Sequence, residues 1–169
     1  KIAMATFALV GIAGMYLREV RQTGILGLVG YLLFSLGYLA MLCVEVIAMT
    51  VIPAIAQSSP EYVDGVVAVA TNSTSTADLG LFGPLNMVVG AGYILGGLVF
   101  GIALFRAGIL ARWAAALLAV AAVTTLAPLL VPMADQRLFA VPNGIAMIGL
   151  GWSLWREQRS TAAEPVSST

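Results

Sequence analysis

The stretch that most constrains the fold runs from Leu79 to Phe105, 27 residues without a charged side chain. A helix rises about 1.5 Å per residue, so this stretch would reach about 40 Å, against about 30 Å for the hydrocarbon core of a bilayer. It can cross a membrane with tilt, or with its first turns in the headgroup layer. We interpret it as a membrane-spanning helix against which other helices pack.

Two offset GxxxG motifs lie within this stretch. Gly92 and Gly96 form the first, and Gly97 and Gly101 form the second. Small residues at this spacing let another helix backbone approach closely, and such packing holds helices together in lipid. Glycine is also simply common in membrane helices. Because two copies occur in one span, we expect these four glycines to form a helix-packing face.

Composition indicates the same class of protein. Of 169 residues, 60% are hydrophobic and 9% are charged, whereas a soluble domain carries about 25% charged residues. The sequence therefore predicts an all-α, polytopic transmembrane helix bundle. We expect a single domain over residues 1–159, with an external loop at residues 57–78, and a disordered cytoplasmic tail at residues 160–169.

The absence of several residue types limits the chemistry. The chain has no histidine and one cysteine, Cys43. His-based metal or haem ligation, His general bases, intrachain disulfides and thiolate clusters are thereby excluded. We predict no catalytic residue, no metal and no cofactor, and we expect Cys43 to be a small buried hydrophobe. Eight basic residues balance eight acidic ones without a basic patch, so no nucleic-acid partner is expected.

Five apolar segments are predicted to be membrane spans, of which the first, with 16 residues, is short for a span but plausible with its flanking residues. They cover residues 2–17, 24–47, 79–105, 113–131 and 138–155. The chain opens inside the first of these with Lys1, which leaves room for a sixth span in the full-length protein. The external loop carries a helix-start signal, because Ser59 can be an N-cap, Pro60 suits the first helical position and Glu61 the first turn. A short amphipathic helix on the membrane surface is expected there.

The distribution of positive charge predicts the orientation. Six arginines fall on one side if the five spans alternate: Arg18, Arg21, Arg106, Arg112, Arg156 and Arg159. The other side receives only Lys1 and Arg137. Cytoplasmic loops carry an excess of Lys and Arg, so we expect the Arg-rich turns and the C-terminal tail in the cytoplasm.

The turn after the central stretch carries a resemblance. The run from Leu95 to Val120, LGGLVFGIALFRAGILARWAAALLAV, resembles uncharacterised bacterial multi-pass membrane proteins with a domain of unknown function. They share a turn of the pattern Arg-x-Gly-x-Leu-x-Arg-Trp between apolar helices, where x is any residue. The resemblance implies a protein of the bacterial inner (plasma) membrane, and it supplies no functional residue.

Glu45 is the one acid that the sequence places inside an apolar segment. Ionisable residues in lipid usually pair or line a cavity. Measured along a helix from Gly24, Glu45 lies about 30 Å away, at the outer boundary of the hydrocarbon core. Two interpretations follow. In the first, its carboxylate simply reaches the outer headgroup layer; in the second, it belongs to a polar pocket.

Other polar residues are predicted at the same depth as Glu45. They are Asn86, Asn143, Arg137 and Thr124. Asparagines near prolines can instead satisfy helix carbonyls or bond between helices. The sharper hypothesis is an outward-facing polar pocket in which Arg137, Asn86 or Asn143 lies within reach of Glu45.

Three functional classes remain after these exclusions. The first is a non-enzymatic membrane component, either a subunit of a larger complex or a binder of a lipid-like small molecule. Its expected partners are membrane lipid and a protein partner or a second copy of the chain. The alternative is a small solute or proton-coupled transporter that uses Glu45. A membrane enzyme is the weakest of the three, because no paired carboxylate is predicted inside the membrane.

Overall fold

The computed structural model describes residues 2–71, 73–108, 112–124 and 140–162. This part of the chain is all α-helical, as predicted. It contains five helices: α1 (Ile2–Ile55), α2 (Pro60–Ala70), α3 (Phe82–Ala107), α4 (Arg112–Thr124) and α5 (Ala140–Ala162). Two of them, α1 and α3, are long and apolar enough to cross a membrane.

Helix α1 is divided by a sharp break at Gly24. This residue has φ 57° and ψ −151°, which is not a helical conformation. Tyr16 and Tyr31 lie on either side of the break and stack with ring centroids 4.5 Å apart. A continuous helix would separate them by about 22 Å. The chain therefore reverses at Gly24, and residues 2–23 and 25–55 form an antiparallel helical hairpin.

The second half of α1 packs against α3 in antiparallel fashion. Gly30 lies against the backbone of Phe100, and Gly37 lies against the backbone of Gly92 and Tyr93. A Cβ atom built on Gly37 would lie 2.7 Å from the Gly92 carbonyl carbon. Contact this close requires glycine, because no side chain fits between the two backbones.

Helices α4 and α5 continue the same up-and-down arrangement. Gly101 of α3 lies against Ala115 and Ala119 of α4, and Gly149 of α5 lies against Trp113 and Ala114 of α4. Ala114, Ala115 and Leu118 are fully buried. Small residues therefore line each successive helix contact in the described part of the bundle.

The bundle core combines these small residues with a cluster of aromatic rings. Phe34 contacts Tyr38 edge-on, with centroids 5.1 Å apart. Tyr93 and Phe100 of α3 lie 5.9 Å and 6.2 Å from the Phe34 ring. Offset and edge-to-face rings are the favoured arrangements. The rings fill the space beside the glycine contacts and thereby set the spacing of α1 and α3.

Helix α2 packs on the end of the bundle where α1 finishes. It begins at Pro60, directly after Ser59, as the helix-start signal predicts, although the Ser59 side chain makes no capping hydrogen bond. Val66 of α2 forms a buried cluster with Leu79 and Phe82. The α2 helix is thus held by the bundle through Val66.

Three boundaries differ from the sequence-based expectation. Helix α1 continues through Arg18–Arg21, which we expected to be a connection, and it turns only at Gly24. Helix α3 begins at Phe82 rather than Leu79. Helix α5 continues to Ala162, into the segment expected to be a tail. Apolar segments end at the first charge, whereas a helix ends where its backbone is interrupted.

Candidate functional site

Glu45 and Asn86 lie at the same level on neighbouring helices. Both side chains are half-buried. The antiparallel register that sets Gly37 against Gly92 continues along α1 and α3 and brings Glu45 level with Asn86. Val44, next to Glu45, packs on the cluster that contains Phe82 of α3. The structure therefore brings these two members of the predicted pocket to one end of the bundle.

The other predicted members of this pocket cannot be placed beside them. Arg137 lies outside the described residues, and the same is true of the side chains of Thr124 and Asn143. Thr50, which follows Glu45, donates its hydroxyl hydrogen to the Val46 carbonyl oxygen at 2.7 Å. The proximity of Glu45 to Arg137 or Asn143 stays a prediction.

The four glycines of the GxxxG motifs are buried and face two different helices. Gly92 and Gly96 face α1, where a Cβ on Gly96 would collide with the Phe34 backbone nitrogen. Gly101 faces α4, whereas a Cβ on Gly97 would lie 3.1 Å from the Ala122 Cβ of α4 and 3.3 Å from the Phe34 ring of α1. Both motifs are therefore occupied by contacts within the chain.

Cys43 lies on the exposed surface, and the expectation that it is buried is wrong. The helix periodicity explains the position: Phe34 is buried, and Cys43, nine residues further along the same helix, falls on the opposite face. In the part of the chain that the structure describes, no group of three His, Cys, Asp or Glu side chains could hold a metal ion.

Glu19, which lies between the first two predicted spans, is fully buried at the end of the bundle opposite Glu45. A detectable signal was present. Ala5, Ile12 and Glu19 recur at intervals of seven residues, and all three are fully buried. This spacing places them on one face of a helix. Glu19 thus continues the core face of α1 rather than leaving the helix with Arg18.

Thr23 lies one turn beyond Glu19 and is also buried. Its hydroxyl donates a hydrogen bond to the Glu19 carbonyl oxygen at 2.9 Å. This bond satisfies one of the last carbonyl groups of the helix before the break at Gly24. The buried end of the first half of α1 is therefore polar.

A cleft of about 330 Å³ opens beside this polar end. It lies where the turn at Gly24 meets the last turns of α3. Its lining residues are Gln22, Thr23, Ile25, Leu26, Ala103 and Arg106. The lining thus combines the Gln22 amide and the Arg106 guanidinium with the exposed side chain of Ile25.

Further arginines lie at this end of the molecule. Arg18 and Arg21 are exposed near the turn of α1. Helix α3 ends at Gly108, which adopts the left-handed conformation and donates its N–H to the Leu104 carbonyl oxygen. The Arg112 guanidinium lies beside Gly108, so that a Cβ built there would be 2.9 Å from a guanidinium nitrogen. The cleft therefore opens among positive charges.

No family model, curated protein or solved structure matches this chain.

Proposed function

We propose that this chain is a multi-pass integral membrane protein that crosses the bilayer five times. The two halves of α1 would cross once each, and α3, α4 and α5 once each. The described part of α4 has 13 residues, about 20 Å of helix; the rest of the predicted fourth span, residues 125–131, lies outside the described residues.

The apolar exterior of the bundle carries this proposal. In the most apolar 18 residues of α1 and α3, only 22% and 39% of the residues are buried. The core helix of a soluble protein would be mostly buried, because water would otherwise cover a large apolar surface. Large side chains that are exposed along the bundle include Phe7, Leu17, Ile25, Met49, Leu81, Met87 and Ile148. A lipid environment accounts for them.

Within the membrane, we infer a non-enzymatic role as a subunit of a membrane complex or a binder of a lipid-like small molecule. Support comes from the surfaces that remain available. Both GxxxG motifs are used inside the chain, and exposed apolar side chains such as Met87 and Ile148 remain available to a partner. The resemblance to bacterial multi-pass proteins supports the inner membrane as the location, with the Arg-rich end in the cytoplasm.

Purification of the native protein in a mild detergent tests this role. Mass spectrometry of the purified sample should reveal either a stoichiometric protein partner or a retained lipid-like molecule. The protein should first resist extraction from membranes by alkaline carbonate. Release by carbonate would contradict the membrane assignment, and a sample with neither partner nor retained molecule would contradict the role.

One observation favours the alternative, a transporter. Glu45 and Asn86 lie at the same level on neighbouring helices, near the end of α1. A proton carrier needs a group that changes its charge within the protein. Uptake driven by a proton gradient into vesicles, lost in Glu45→Gln and kept in Glu61→Gln, would favour transport. Equal behaviour of the two variants would leave the non-enzymatic role in place.

A further inference from the structure

We propose that the cleft between the Gly24 turn and the end of α3 binds the phosphate group of an anionic phospholipid. This inference rests on the proposed membrane location and names a ligand for it. The cleft holds about 330 Å³, which is within the usual size of small-ligand sites. A phosphodiester headgroup fits such a volume while its acyl chains remain in the bilayer.

The donors in the cleft match a phosphate. Among the described lining residues, Arg106 is the ionisable one, and its planar guanidinium can bind two phosphate oxygens at once. The Gln22 amide adds two neutral donors. The Thr23 hydroxyl hydrogen is committed to the Glu19 carbonyl oxygen. The cleft therefore offers one cation with neighbouring amide donors, a combination that binds an anion.

The position of the cleft favours a lipid over a free ion. Ile25 lines the cleft and is 81% exposed, and Leu26 beside it is also exposed. In the proposed orientation these side chains face the acyl region, while Arg106 lies at the level of the cytoplasmic headgroups. Basic pockets between helices on the cytoplasmic side are a common way to hold anionic lipids.

The neighbouring charges also favour an anion. Arg18 and Arg21 are exposed at the same end of the bundle, and an arginine close to a membrane surface attracts anionic lipid. Glu19 lies one turn below Thr23, is fully buried and is outside the cleft lining. Arg106 is distinguished from the surface arginines because it lines the cleft.

Lipid binding to the full chain in nanodiscs tests the proposal. The nanodiscs would contain phosphatidylcholine with a small fraction of fluorescent phosphatidylglycerol, and the affinity for the labelled lipid would be measured. We expect Arg106→Gln to weaken binding about tenfold or more, because a bidentate, charge-assisted contact is lost. The matched control is Arg21→Gln, which removes an exposed arginine at the same end that does not line the cleft; it should weaken binding clearly less than Arg106→Gln does.

Two further variants decide the result if Arg106→Gln does not fold. Arg106→Lys keeps the charge but loses the planar pair of donors, and Gln22→Ala removes the amide; both should weaken binding. Equal effects of Arg106→Lys, Gln22→Ala and Arg21→Gln would overturn the proposal in favour of general surface charge. Full competition by inorganic phosphate would also overturn it, since the ligand would then be a free anion.

The failure of this proposal is distinguishable from failure of the proposed function. A protein that inserts into nanodiscs but holds phosphatidylglycerol no more tightly than phosphatidylcholine refutes the lipid site alone. A protein that does not insert refutes the membrane assignment and the lipid site with it.

Discussion

Gly24 shows how one residue decides the course of the chain. Its φ of 57° and ψ of −151° fall in a region that glycine adopts and residues with a Cβ atom essentially do not. A Cβ added at Gly24 would meet no atom within 4 Å. The requirement for glycine is therefore conformational rather than steric, and it concerns only the reversal of α1.

We expect Gly24→Ala to lower the stability of the protein by about 1–3 kcal/mol, the usual cost of such a backbone conformation for a residue with a side chain. The measurement is thermal unfolding in detergent. Gly11→Ala is the matched control, because Gly11 is helical and also has open space around its Cβ position. Equal melting temperatures for the two variants would mean that the turn at Gly24 does not need glycine.

Glu19 is the residue whose environment departs most from the sequence-based expectation. Its side chain is fully buried although it lies between Arg18 and Val20, which are exposed. We expect Glu19→Ala to reduce stability by about 2–5 kcal/mol, because truncation of a fully buried side chain leaves a cavity.

The control for Glu19→Ala is Glu61→Ala, which removes an exposed acid in the first turn of α2. Its effect should stay below about 1 kcal/mol. Chemical or thermal denaturation of both variants in the same detergent gives the two values. A Glu19→Ala protein as stable as the Glu61→Ala protein would place Glu19 outside the core.

At the scale of helices, α3 holds the bundle together through two faces. Gly92 and Gly96 make one face for α1, and Gly97 and Gly101 make the other for α4. The offset of the two motifs is the reason for this division, because residues four apart share a helix face and residues one apart do not. The central position of α3 follows from these two glycine faces.

Substitutions at these glycines should lower the stability of the protein most where the neighbouring helix lies closest. Gly96→Ala would place a Cβ against the Phe34 backbone nitrogen, so α1 and α3 must move apart. Overpacking of this kind costs about 1–3 kcal/mol. Gly96→Leu and Gly97→Leu should cost more. Gly90→Ala and Gly90→Leu are the controls on the same helix, since nothing lies within 4 Å of a Cβ at Gly90.

Melting temperatures in detergent should fall for the Gly96 and Gly97 variants and remain within about 2 °C for the Gly90 variants. A fall of the same size at Gly90 would indicate that glycine is needed throughout α3 for another reason. Unchanged melting at Gly96 and Gly97 would mean that this face meets lipid rather than α1 and α4.

At the scale of the whole molecule, the two ends of the bundle differ. One end carries the Gly24 turn, the buried Glu19 and the cleft with Arg106. The opposite end carries Glu45, Asn86 and the α2 helix. Positive charge gathers at the first end, which is the distribution that orients membrane proteins with that end in the cytoplasm.

Cysteine labelling in intact cells tests this orientation. In a background of Cys43→Ser, a membrane-impermeant maleimide should label Ser73→Cys, because Ser73 is exposed in the loop before α3. It should not label Gln22→Cys or Ala107→Cys until the cells are opened. Labelling of the second pair alone from outside would reverse the proposed topology.

The helical class and the approximate helix positions could be predicted from the sequence, because they depend on local properties. Apolar length decides whether a segment such as Phe82–Ala107 can span a bilayer. The proline at position 60 marks the start of α2 for an equally local reason. Glycine spacing likewise indicated where α3 would pack, although it could not name the partner helices.

Only the tertiary structure decided the features that depend on register between helices far apart in sequence. The same α3 glycines could have met any neighbour, and their contacts with α1 and α4 follow from the reversal at Gly24 and the order of the helices. The cleft beside Arg106 exists because three chain segments meet at one end. Hydropathy along a single segment carries no information about such a meeting, since a side chain is buried by residues that are distant in sequence.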